Sequence, residues 1–228
     1  MNILLRYLED RHVDDETQRN NKEPGPVITI SRQFGCSGRF LADKLADALN
    51  KKRDQQSSWK VISKEILEKS AKELELDPSQ VEYVFKYEKR SAIDDILSAL
   101  SSKYYKSDRK IRNTIKKVIY SFGKEGHSII IGRCGSSITK NIRRSLHIRL
   151  IAPVDWRVQV IKKRFNLTTK KAKDYVLDID KKRQELRNNL AGTKLDDTHY
   201  DLLINVKNFT HDEIAEIILG AMEVRGLS

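Results

Sequence analysis

Short β-branched runs alternate with longer helical patterns along this chain, and that alternation restricts the fold more than any other feature. Residues 27–31 (VITIS) form an apolar, strand-sized run closed by a glycine turn. Leu41, Leu45 and Leu49 then recur on one face and predict a helix over about 37–50. Further strands are expected at 59–62, 128–131, 146–152 and 200–206. Helical patterns separate them, at roughly 64–76, 78–102, 108–124, 153–165 and 168–189. Asp77 is an N-cap with Pro78 at the first helical position, and Thr168 or Thr169 caps the long charged helix. Thr210 caps the last helix, whose Ile214, Ile217 and Ile218 are expected to face the core. Strands separated by helices cannot pair as hairpins. They imply an α/β fold with a parallel sheet covered on both faces, and a ligand site outside the carboxyl ends of the strands.

The chain can build a core. Its hydrophobic fraction is 39%, and its glycines lift the apolar total to about 43%, near the globular norm. No apolar run approaches the length of a membrane helix, and the N-terminus turns acidic after a short apolar triplet, so neither a membrane span nor a secretory signal is expected. The two cysteines, Cys36 and Cys134, fit a reducing cytoplasm. Residues 1–26 read as an N-terminal extension ending in the Pro24-Gly25-Pro26 break, with the main domain at 27–228.

Charge is uneven. The formal net charge is +12, and residues 143–194 carry 15 basic against 5 acidic side chains, which holds most of that excess. Such a field implies a polyanionic partner, with a solvated basic helix face as the alternative. Only Trp156, Phe165 and Tyr175 interleave with the basic stretch, too few aromatics for base stacking along a nucleic acid.

Two strand ends carry candidate chemistry. After the first strand come Arg32, Gly35, Cys36, Ser37, Gly38 and Arg39, just before a helix. Glycines let amides turn toward an anion and the helix start adds donors, so this is a candidate phosphate loop, although it departs from GxxxxGK[ST]; a plain glycine turn is the alternative. The third strand ends in Gly132-Arg133-Cys134-Gly135, where an arginine between glycines is poorly explained by packing, a surface turn being the alternative. Arg157 and Arg164 lie two turns apart on one helix, and Arg183 follows on the next; such arginines can clamp phosphoryl oxygens, though a solvated face also accounts for them.

Taken in order, these pieces resemble the cytidylate kinase-like family, a branch of the nucleoside monophosphate kinases within the P-loop fold. The resemblance runs from about residue 27 to 222. It rests on residues 28–46 (ITISRQFGCSGRFLADKLA), 128–138 (SIIIGRCGSSI), 150–164 (LIAPVDWRVQVIKKR), Asp180-x-x-Arg183 and 200–205 (YDLLIN). It implies a three-layer α/β/α P-loop kinase-like fold with a five-stranded parallel sheet, a helical monophosphate-binding region at about 64–126 and a basic lid at about 165–190. Two departures stand out: Gly-Arg-Cys replaces the family's Gly-Arg-Asp, and Arg39-Phe40 stands where its P-loop lysine and hydroxyl residue would be.

What the resemblance implies is ATP-dependent phosphoryl transfer to a nucleoside monophosphate, CMP first. Arg32 and Gly35–Arg39 would hold ATP, Ser37 would be a ligand of Mg²⁺, Gly132 and Arg133 would hold the acceptor phosphate, and Arg183 with Arg157 or Arg164 would act in catalysis. Arg187 is not carried over. The rival readings are a kinase-derived nucleotide sensor or nucleic-acid binder, and a kinase for another small metabolite. The oligomeric state is left open. Helix starts and arginines around Cys36 and Cys134 would favour thiolate, so one reading is that at least one is a reactive, nucleotide-protected cysteine, and the other is two inert small fillers beside glycines.

Overall fold

The computed structural model describes residues 24–51, 58–78, 81 and 108–227. Strands β1 (Val27–Arg32), β2 (Lys60–Ile62), β3 (Ser128–Ile131), β4 (Ser145–Ile151) and β5 (Leu202–Asn205) form one sheet in the order β2-β3-β1-β4-β5, all pairs parallel. The helices are α1 (Gly38–Lys51), α2 (Glu65–Leu74), α3 (Asp108–Glu125), a short α4 (Gly135–Ile138), α5 (Val154–Phe165), α6 (Thr169–Ala191) and α7 (His211–Val224). This is a three-layer α/β/α fold, with helices packed on both faces of a parallel sheet.

The two faces of the sheet differ. Ile28 and Ile30 of β1 join Leu146, Ile148 and Leu150 of β4 on the face covered by α1 and α7. On the other face Ile130 and Val27 pack under α2 and α3, through Ile66, Ile111, Ile115 and Ile119. That second face becomes polar toward the middle of the sheet. Thr29 and Ser31 stand opposite His147 and Arg149, where a parallel strand is ordinarily apolar on both sides. The His147 ring is held between the Thr29 hydroxyl at 2.8 Å and the Ser145 hydroxyl at 3.2 Å. Its burial pushes the imidazole below its usual pKa.

Local signals set the helix ends. Thr168 Oγ1 accepts from the Lys171 N–H, and Thr210 with Glu213 forms a capping box at the start of α7. One expected core contact is absent: Ile214 and Ile218 are buried, but Ile217 is 39% exposed. Positions 214, 218 and 222 make the buried stripe at four-residue spacing, and Ile217 falls beside it. The fifth strand is shorter than the 200–206 run because Tyr200 ends a 3₁₀ turn (Asp197–His199). Nearly all of the expected helix at 78–102, apart from the helical residues 78 and 81, and nearly all of the 1–26 extension lie outside the described residues. Among the described residues no helix is long and apolar enough to cross a membrane.

Candidate functional site

A cleft of about 280 Å³ opens at the carboxyl ends of β1 and β3, under α6. Arg32, Gly132, Arg133 and Arg183 line it together, as do Thr29, Ser31, Ser63 and Arg187. Three consecutive residues at the end of β3 turn left-handed: Gly132 (φ 65°), Arg133 (φ 54°) and Cys134 (φ 60°). For the two non-glycine residues this costs roughly 1–2 kcal/mol each. Backbone strain of this kind is tolerated where a site needs a particular presentation of its groups. Glycine suits position 132 because its φ of 65° is left-handed; a side-chain carbon there would also displace the Arg32 guanidinium.

Arg183 ties the helix above the cleft to the turn below it. Its Nη1 donates to the Arg32 carbonyl at 3.2 Å, and its guanidinium carbon lies 5.4 Å from the Phe34 ring centroid. The turn itself is tightly held. Gln33 N–H donates to the Leu150 carbonyl, the Gln33 side-chain oxygen accepts from Ala152 N–H, and Phe34 N–H donates to the Asp180 carboxylate at 2.7 Å. Gly35 has φ 98°, and a Cβ there would press on Arg157 at 3.0 Å. Immediately after this turn α1 begins at Gly38, so its first N–H groups have no intrahelical acceptor.

Several expected site residues stand apart from the cleft lining. Gly35, Cys36, Ser37, Gly38 and Arg39 form the adjoining turn and helix start, with Arg39 paired to Asp43 on the surface. Arg164 is exposed at the end of α5, against the Phe165 ring. Arg157 departs most from expectation. Its guanidinium is 2% exposed and donates to the Ala152 carbonyl (2.9 Å), the Phe34 carbonyl (3.1 Å) and the Asp180 carboxylate (2.5 Å). In this arrangement it is a tie between β4, the turn and α6, with no face toward the cleft.

Arg187 is a cleft residue that the sequence analysis set aside. It lies one turn beyond Arg183 on the same face of α6, and that four-residue spacing was the signal available. Its Nη2 donates to the Gln184 side-chain oxygen, while its Nε is buried without a hydrogen-bond partner. Burial pushes this guanidinium below its usual pKa. Thr29 and Ser31 were also missed, since their β-branched or small side chains suit an ordinary strand.

The cysteines behave as buried fillers. Each is 5% exposed, and the Cys134 thiol donates to the Arg187 carbonyl at 3.4 Å. Burial outweighs the neighbouring arginines and pushes both thiols up to about 11. Of the two readings, inert fillers fit this burial and an activated thiolate does not. A rise of that size leaves about a hundredfold less thiolate at neutral pH than an ordinary thiol has. Timed alkylation followed by mass spectrometry should show slow labelling at both positions, accelerating as pH rises toward 11. Fast labelling of either cysteine at neutral pH would contradict this burial.

The comparisons with known proteins agree with this architecture. The sequence profile described as "Cytidylate kinase-like family" matches residues 27–208. An uncharacterized protein from Eubacterium ventriosum ATCC 27560 superimposes with a TM-score of 0.62 at 21% identity, over 87% of this chain and 98% of that one. Shikimate kinase from Acinetobacter baumannii, solved in complex with shikimate, superimposes at 0.50 with 12% identity, over 92% of this chain and 99% of its own. Shikimate kinase from Bacteroides thetaiotaomicron also reaches 0.50, at 10% identity over 86% and 98%. No curated protein sequence matches the chain.

Proposed function

The chain belongs to the cytidylate kinase-like family, and we propose that it transfers a phosphoryl group from ATP to a nucleoside monophosphate, CMP first among them. The observation that carries this reading is the convergence of Arg32, Arg133, Arg183 and Arg187 on one cleft at the ends of β1 and β3. Four guanidinium groups around about 280 Å³ suit a small polyanion and little else.

In this mechanism Gly132 and Arg133 hold the acceptor phosphate at the strand end. Arg32 and the amides of Gly35–Arg39 hold the donor phosphates. Ser37, exposed just before α1, would be the protein ligand for the Mg²⁺ that accompanies ATP. Mg²⁺ would supply charge neutralisation on the donor phosphates. Arg183 meets the charge that develops on the transferring group. A monophosphate oxygen is already anionic at neutral pH, so the reaction needs alignment and charge stabilisation rather than a base. Arg157 serves by positioning, since it pins both the turn and α6. Arg164, exposed at the end of α5 just before the proposed basic lid at 165–190, takes no part in the cleft in this arrangement. The chain works in the cytoplasm on this reading, in keeping with two free, buried thiols.

A second reading keeps the chemistry and changes the acceptor. Cys134 stands where the family has a base-reading carboxylate, Thr29 and Ser31 put hydroxyls on the cleft lining, and two fold neighbours are shikimate kinases. These favour a small hydroxylated acid as the alternative acceptor. Incubation with ATP, Mg²⁺ and either a nucleoside monophosphate panel or shikimate separates the readings. CDP formation from CMP supports the first and shikimate phosphorylation the second. Nucleotide binding without turnover on any acceptor would leave a sensor and remove both.

A further inference from the structure

A second cavity, of about 360 Å³, lies between α3, the segment after α4 and the carboxyl end of α6. It shares no lining residue with the arginine cleft. The apolar cluster of Cys134, Leu186, Leu190 and Leu195 stands between the two, since its members line one or the other. Leu190 and Leu195 form an apolar floor, and the Tyr120 ring, 38% exposed, offers a flat side wall. Three ammonium groups edge this floor: Lys116 and Lys117 from α3 and Lys140 from beyond α4. Among the described residues no carboxylate pairs with any of them. The nearby acids are committed elsewhere, Asp196 to His199 and Thr198, and Asp197 to Arg149.

An apolar pocket of this size with a few convergent polar groups is the usual form of a small-molecule site. Three ammonium groups at its edge, unpaired among the described residues, select an anion of high charge density, and the tyrosine and leucines select a flat apolar body. We infer that this cavity is a second ligand site, which takes a small aromatic phosphate with its ring on Leu190, Leu195 and Tyr120 and its phosphate at Lys116, Lys117 and Lys140. This goes beyond phosphoryl transfer and does not depend on it. The site abuts the end of the helix that carries Arg183 and Arg187, so an occupant would brace that helix from behind.

The test is calorimetric titration of the full chain with 1-naphthyl phosphate, and with 1-naphthol as the uncharged counterpart. Saturable binding of the phosphate is expected, with 1-naphthol at least about tenfold weaker. The double variant Lys117→Gln/Lys140→Gln changes two exposed side chains and should weaken the phosphate by about tenfold or more at an unchanged melting temperature. Leu190→Trp, which fills the cavity and keeps every lysine, should abolish binding, while Arg133→Gln should leave it intact. No saturable binding, equal binding of 1-naphthol, or full affinity in the lysine variant would overturn the inference. Loss of binding in Arg133→Gln would overturn it too, by placing the ligand in the arginine cleft.

Discussion

Replacing Asp180 by alanine is expected to destabilise the folded protein by about 3 kcal/mol. The reason is the position of Arg157, whose guanidinium is 2% exposed and whose charge is met only by the Asp180 carboxylate at 2.5 Å among the described residues. Without that carboxylate a buried cation is left to two carbonyls, and Phe34 N–H loses its acceptor as well. A domain of this size should melt roughly 6–12 °C lower. Arg157→Lys, with Asp180 intact, should also destabilise the fold, because one ammonium cannot serve partners on β4, the turn and α6 at once. The Asp180→Ala melting curve is the deciding measurement. A shift under about 2 °C would mean that water reaches Arg157 and that the tie is not structural. The same substitution also bears on the site, since Asp180, together with Arg183, holds the turn before α1 against α6.

The second large effect is kinetic and rests on the proposed reaction. Arg183→Ala should lower turnover by about a hundredfold to a thousandfold while ATP and acceptor affinities change by less than about threefold. Arg183 sits between the Arg32 carbonyl and the Phe34 ring at the cleft edge. From there it can meet charge that builds up on the transferring group more than charge already present on bound phosphates. Arg133→Ala should do the opposite: it should raise the acceptor KM about tenfold or more and leave the ATP KM nearly unchanged. Steady-state kinetics with both substrates varied distinguishes these patterns. If both variants lose ATP affinity equally, the division into acceptor and transition-state arginines is wrong.

Much of the fold was open to inspection in the chain itself. Residues 128–131 become β3 without adjustment, and the other strands move by only a residue or two at their ends. Thr168 and Thr210 cap the helices that their positions announced. These features are local: a strand run, a cap or a glycine turn is set by residues a few positions apart, so spacing carries the information. The meeting of Arg32, Gly132 and Arg133 follows for a related reason, because parallel strands place their carboxyl ends together once their order is β2-β3-β1-β4-β5, whereas Arg183 was expected only from the family resemblance and reaches the cleft from α6.

What spacing could not carry was the direction of long or ambivalent side chains. Arg157 and Arg164 occupy nearly one face of α5, yet one is buried and the other lies in solvent. The difference comes from partners far along the chain, Phe34 and Asp180, which surround only the first of them. Ile217 looked as apolar as Ile218 but falls just outside the stripe that the sheet covers. The thiols of Cys36 and Cys134 stand among arginines, and only packing decides that desolvation outweighs that charge. Arg187 entered the cleft because α6 crosses the end of β3 at that turn. Periodicity in the chain therefore determined which elements form and in what layers, while the tertiary structure decided which cations face the cleft, because a guanidinium is steered by its most distant neighbours.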